Sequence, residues 1–220
     1  MKALEGTPHA ENTYIVYTAD HGLAMGSHGL LGKQNVYEQS MRCPLVIRGP
    51  GIPSGGSSEA FTYVHDLYAT VCAFAGVSVP EGIDAKDLSP IMSGNEPRVR
   101  DSVFLPFQNN QRAVSDGRWK LHIYPKINHR LLFDLKTDPH EINDLASNTA
   151  NASQIERMTT LMGSWRTQLG DNDPLHVDSP EPKEPVYNNA KRTLDVWQPK
   201  WIRDKYFDGR DDPTHGPKKR

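Results

Sequence analysis

Apolar and polar positions change period along this chain, and each period predicts a different element. Residues 12–18 form a short β-branched and aromatic run (Tyr14-Ile15-Val16-Tyr17 at its centre) with no helical spacing. Such a run predicts a strand buried on both faces, of the kind a parallel sheet holds at its centre. Residues 22–32 contain Gly22, Gly26, Gly29 and Gly32 and read as a loop. A helical turn is expected over 35–41. Residues 43–48 repeat the strand pattern and stop at the turn residues Gly49-Pro50-Gly51. A short third strand is expected at 61–64. From Asp66 the period becomes helical, with Leu67, Val71, Phe74 and Ala75 on one face, Asp66 suited to the cap and Gly76 at the end.

Beyond residue 100 the pattern shifts to short strands at 102–107, 112–115, 119–124 and 130–135. The Asp116-Gly117 pair is a hairpin signal between two of them. This predicts a small antiparallel sheet. Gln108-Asn109-Asn110-Gln111 reads as an ordinary hairpin connection rather than a sugar contact. Residues 153–169 place Ile155, Met158, Leu161, Met162, Trp165 and Leu169 on one helical stripe, with Ser153 and Glu156 spaced as a capping box. The boundaries that result are 1–100, 101–170 and an extended, charged tail at 171–220 that holds seven of the 17 prolines. In that tail Trp197, Trp201, Tyr206 and Phe207 suggest docking.

Composition narrows the functional classes. At 220 residues the chain holds one domain or one and a half. Hydrophobic content of 36% and a mean hydropathy of −0.64 are polar for a sheet covered on both faces. A net charge of −2 gives no reason to expect nucleic acid or an anionic membrane as partner. No apolar run reaches the roughly 18 residues of a membrane span. The opening MKALEGTPHAENT lacks the apolar segment of a signal peptide, so no export address is expected. Cys43 and Cys72 exclude a disulfide framework and a four-cysteine zinc site. Two buried thiols are expected, with a single disulfide as the alternative.

The chemistry concentrates just past the first strand. Asp20 and His21 stand where ligand groups sit in open α/β sheets, beyond a strand's carboxyl end. An aspartate there can hold a cation, and His21 can share it. Read alone, Asp-His-Gly is first of all a turn. Lys33, returning on a glycine-rich loop, is suited to an anionic oxygen, although a single lysine reads as a solvated charge. His28 is either a proton donor or a brace for the loop. Together these groups favour a metal-assisted site for an anionic ester.

At this point the sequence resembles a known family. Thr13-Tyr14-Ile15-Val16-Tyr17-Thr18-Ala19-Asp20-His21-Gly22, then Gly32-Lys33 with Tyr37-Glu38, then Pro44-Leu45-Val46-Ile47-Arg48-Gly49-Pro50-Gly51 are similar to the second half of a type I sulfatase of the alkaline phosphatase superfamily. The likeness continues through His65-Asp66-Leu67-Tyr68, Trp119-Lys120-Leu121, Phe133-Asp134-Leu135 and Asp138-Pro139-His140-Glu141, over about residues 12–170. It implies an α/β fold: an incomplete alkaline-phosphatase-like core sheet, followed by a small antiparallel sheet with a C-terminal helix. It implies a sulfuric ester hydrolase acting on an aryl or carbohydrate sulfate, with calcium (Ca2+) and a formylglycine. By that resemblance Asp20 and His21 are metal ligands, and Lys33 contacts the sulfate, with His28 beside it in the pocket.

The chain departs from the family pattern in what it lacks. No Cys/Ser-x-Pro-x-Arg motif, the source of formylglycine, occurs: Cys43-Pro44-Leu45 places proline one position early. The early Asp-Asp pair is absent as well. The expectation is therefore the C-terminal portion of a sulfatase, inactive alone and missing an N-terminal half. Alternatives are a phosphoester or phosphonate hydrolase of the same superfamily, or a non-catalytic fragment that binds a sulfated ligand or a partner. Intact members are expected to be periplasmic or secreted.

Overall fold

Two short ladders come first in the chain, and a larger sheet follows. The computed structural model describes residues 2–184 and Trp201. Met1–Pro180 forms one unit and Glu181–Arg220 a second. The first unit opens with the helical turn α1 (Lys2–Glu5), then β1 (Ile15–Thr18). The hairpin strands β2 (Ala24–Met25) and β3 (Leu31–Gly32) lead to the short helix α2 (Glu38–Met41) and to β4 (Leu45–Arg48). Helices α3 (Asp66–Ala75) and α4 (Ser89–Met92) precede strands β5 (Val103–Phe107), β6 (Gln111–Ser115), β7 (Trp119–Tyr124) and β8 (His129–Asp134). Helix α5 (Ala152–Leu169) closes the unit.

The first strand departs from expectation in two ways. β1 pairs with β4 antiparallel, Ile15 opposite Arg48 and Thr18 opposite Leu45. It is not buried on both faces: Tyr17 is 66% exposed and its partner Val46 62%. With one neighbour each, these strands leave edge and face open among the described residues. The expected strand at 61–64 is also absent. Its backbone groups go to side chains instead: Tyr63 N donates to Asp66 Oδ2, and Phe61 O accepts from Arg100 Nη1.

α3 spans the predicted residues and ends at Gly76, whose φ of 67° suits a residue without Cβ. Asp66 does not cap it, because His65 holds that position. The Asp66 carboxylate is fully buried and receives both Arg100 Nη1 and Nη2, at 2.6 and 2.7 Å. Ser153 and Glu156 likewise form no capping box. The helix starts one residue earlier, with Asn151 at the cap.

β5 to β8 make a meander in chain order, with Asp116–Gly117 at the β6–β7 turn as predicted. Pro106 lies on β5, an edge strand, where a missing N–H is tolerated. Strand alternation gives this sheet two unlike faces. Val114, Leu121 and Leu132 lie opposite one another and pack with Phe104 against Ile155, Met158 and Met162 of α5. Ser115, Lys120 and Phe133 share the other face with Ala113 and His122.

The tail's first residues are fastened to the sheet. Arg112, 3% exposed, binds Asp171 at 2.7 Å and Asp173 at 2.9 Å, and Val177 N donates to Asn128 Oδ1. Of the four aromatic residues expected to dock, Trp197, Tyr206 and Phe207 lie outside the described residues, and Trp201 is exposed. Cys43 and Cys72 are free thiols, each half-buried. No described helix is long and apolar enough to cross a membrane.

Candidate functional site

β1 delivers Thr18 and Ala19 to the turn that carries Asp20 and His21. That turn is fixed by its neighbour α2. Gly22 N donates to Ser40 O at 3.0 Å, and the backbones approach so closely that a Cβ at Gly22 would lie 2.2 Å from Gln39 O. Only glycine permits this approach. The β2–β3 hairpin then brings the chain back, and Gly32, at φ 104°, turns it so that Lys33 reaches Asp20.

Asp20 and Lys33, separated in sequence by the whole hairpin, form an ion pair through Oδ2 and Nζ. Asp20 Oδ1 accepts from His21 N at 3.0 Å. The Lys33 ammonium holds the Asp20 carboxyl below its ordinary value. Their side chains are 71% and 40% exposed, so water screens the pair and its contribution to stability is small. An exposed ammonium on a short, glycine-braced loop is available to a ligand oxygen, which would compete with Asp20 for it.

His28 is placed differently. Its backbone is left-handed, at φ 54°. Its ring stacks on Tyr37 with centroids 3.9 Å apart, and Nε2 lies 3.0 Å from His140 O. One contact holds the hairpin against the start of α2 and the other against the segment that follows β8, which is the bracing alternative. Asp20, His21 and Lys33 are thus brought together, while His28 faces the antiparallel subdomain.

The donor set falls short of a calcium site. Calcium takes six to eight oxygens, and this turn offers one carboxylate and one imidazole. Among the described residues, no group of three or more His, Cys, Asp and Glu side chains gathers in metal-binding range.

Behind the loop lies a buried polar cluster that the sequence patterns did not single out. Lys120, His122 and Glu141 are at most 1% exposed. Lys120 Nζ is 2.7 Å from Glu38 Oε1 and 3.0 Å from Glu141 Oε1. His122 Nε2 is also 3.0 Å from Glu141 Oε1, but neither ring nitrogen has a directed hydrogen bond. Burial pushes His122 down to about 4, outweighing the neighbouring Glu141, which favours the charged ring. A strand alternating Trp119, Leu121, Ile123 with Lys120, His122, Tyr124 reads as half solvated, which hid the cluster. The available signal was that Glu38, Lys120 and Glu141 lie in the motifs Tyr37-Glu38, Trp119-Lys120-Leu121 and His140-Glu141.

Comparison with known proteins bears on the same segment. Residues 26–168 match the family described as N-sulphoglucosamine sulphohydrolase, C-terminal. The chain is 32% identical over 208 residues to an N-acetylglucosamine-6-O-sulfatase of Bacteroides thetaiotaomicron, a match covering 88% of this chain and 36% of that protein. Its fold superposes, with TM-score 0.72 and 30% identity, on a solved protein in complex with its substrate D-glucosamine-2-N,6-O-disulfate. That match covers 79% of this chain and 38% of the other. A phosphonate monoester hydrolase of Agrobacterium radiobacter superposes with TM-score 0.66 and 29% identity, over 76% of this chain and 37% of the other. The chain therefore spans little more than a third of the length of these relatives.

Proposed function

Since this chain belongs to the sulfatase family and corresponds to its C-terminal portion, we propose that it supplies one wall of a sulfuric ester hydrolase site. The observation that carries this reading is the exposed Asp20–Lys33 pair, held on a loop that only Gly22 lets approach α2 so closely. Lys33 binds an oxygen of the sulfate group and neutralises charge as the ester bond breaks. Asp20 orients Lys33 before substrate arrives and, with His21, offers two donors toward a calcium ion. These two donors do not complete a calcium site, and no step here depends on one. His28 fixes the hairpin from behind. The nucleophile, a formylglycine, and the remaining charged groups belong to the N-terminal part that the relatives carry and this chain does not match.

The test is complementation. The chain is co-expressed with the N-terminal portion of the Bacteroides relative, and sulfate release is measured from 4-nitrophenyl sulfate and from a glucosamine sulfate. The chain alone is expected to show negligible turnover. The complemented protein is expected to release sulfate, and Lys33→Ala to reduce kcat/KM by about a hundredfold, the usual size of effect for one preorganised charge-stabilising group. Robust turnover by the 220-residue chain alone, or an unaffected Lys33→Ala variant, refutes the proposal. The likeness to a phosphonate monoester hydrolase favours one competing reading. Preference for a phosphonate monoester over the sulfate esters in the same assay would establish it.

A further inference from the structure

The face of the β5–β8 sheet turned away from α5 carries buried charge where a covered face usually carries hydrocarbon. Lys120 and His122 point there from β7, and Glu141 joins them from the segment after β8. A buried charge is costly unless paired, and here each partner leads toward the site loop. Glu141 Oε2 accepts Glu38 N at 2.6 Å, and Lys120 Nζ binds Glu38 Oε1 at 2.7 Å. Glu38 opens α2, and α2 holds the Asp20–His21 turn through Ser40 O and Gly22 N. A second route runs beside the first, from His140 O to His28 on the hairpin that carries Lys33.

The backbone marks both routes. His28 and Glu141 are non-glycine residues at φ 54° and 57°, a region L residues avoid unless surrounding contacts hold them. Val36 N, between the routes, donates to Gln111 Oε1 on β6. Each end of the loop that presents Asp20 and Lys33 is therefore tied to the antiparallel sheet rather than to β1 and β4 alone.

We propose that Lys120 and Glu141 are positioning residues, whose buried pair, closed on Glu38, sets the place of the loop that presents Asp20, His21 and Lys33. Its catalytic meaning rests on the sulfate-facing reading of that loop, while the loop's tethering is measurable without any turnover.

The experiment is amide hydrogen exchange by NMR on the 220-residue chain. Glu141→Asn keeps a residue that tolerates positive φ but is too short to reach Glu38 N. Lys120→Met/Glu141→Asn removes both charges of the pair and guards against a single variant that fails to fold. In either variant, exchange at the Glu38 and Gly22 amides is expected to quicken at least tenfold, with the β6 and β7 ladder amides changed by less than about twofold, because opening is then local. Unchanged protection at Glu38 and Gly22 overturns the proposal. So does uniform acceleration across the sheet, or failure of both variants to fold, since each marks a purely structural pair. Retained tethering changes with no sulfatase activity in the complemented protein would instead refute the sulfate-facing reading and leave the positioning role standing.

Discussion

Acidification should destabilise this protein through His122, starting well above the pH at which Glu141 begins to lose its own contribution. The ring is fully buried between Glu141, Lys120, Tyr37 and Phe133, with Glu38 and Tyr124 nearby. Burial lowers it from 6.5 to about 4. A histidine whose native value is depressed binds its proton more readily in the unfolded chain. Its contribution to stability is present above pH 6.5 and is lost as pH falls toward 4. At 1.36 kcal/mol per unit, the shift amounts to about 3 kcal/mol in full. About 1 kcal/mol of it is gone by pH 5.5, and between about 2 and 3 by pH 4.5. Burial would raise Glu141, yet His122 and Lys120 hold it below its ordinary 4.5, so its own loss lies beneath this window. The assay is urea unfolding followed by circular dichroism at pH 7.5, 6.5, 5.5 and 4.5, on the wild type and on His122→Gln, which does not titrate. The wild type is expected to lose about 2 kcal/mol more than the variant between pH 6.5 and 4.5. Parallel stability curves would refute the reasoning, because the ring would then be solvated or already charged.

Two further outcomes follow from the site's surroundings. Gly22→Ala places a Cβ 2.2 Å from Gln39 O and 2.6 Å from Arg42 O, both backbone atoms that cannot swing aside. It should cost about 1–3 kcal/mol in urea unfolding and displace the Asp20–His21 turn, visible as amide shift changes at Asp20, His21 and Ser40. Asp66→Ala strips the buried Arg100 guanidinium, 7% exposed, of its bidentate partner. It should cost about 3–5 kcal/mol, and a loss under 1 kcal/mol would mean that Arg100 finds water.

What could be read from sequence depended on whether a pattern was local. α3 was legible because its apolar spacing and Gly76 lie within one stretch. β7 was legible as a strand for the same reason. Its polar face was not, because Lys120 and His122 are buried by residues 38 and 141, which no local window contains. The strand at 61–64 failed similarly: Tyr63 and Phe61 have strand-like side chains, but Asp66 and Arg100 take their backbone groups. Period alone found β1 and β4 but not their antiparallel direction. The Asp20–Lys33 pairing was anticipated only as a convergence of chemistry; Gly22 against α2 places Asp20, and the hairpin with its turn at Gly32 returns Lys33 to it. The family resemblance held for the fold because it rested on the order of many short motifs spread over β1, β4, α3 and the β5–β8 sheet.

The meander of β5 to β8 also orders events in time. Each of its strands pairs with a neighbour in the chain across a short turn, so every closure is brief and entropically cheap. β1 must find β4 across residues 19–44, and Glu38 must find Glu141, 103 positions along the chain. Proteins rich in local contacts fold faster than those built on distant ones. The antiparallel sheet is thus expected to form as a template first, and the loop bearing Asp20 and Lys33 to take its shape last, cast against a surface already set.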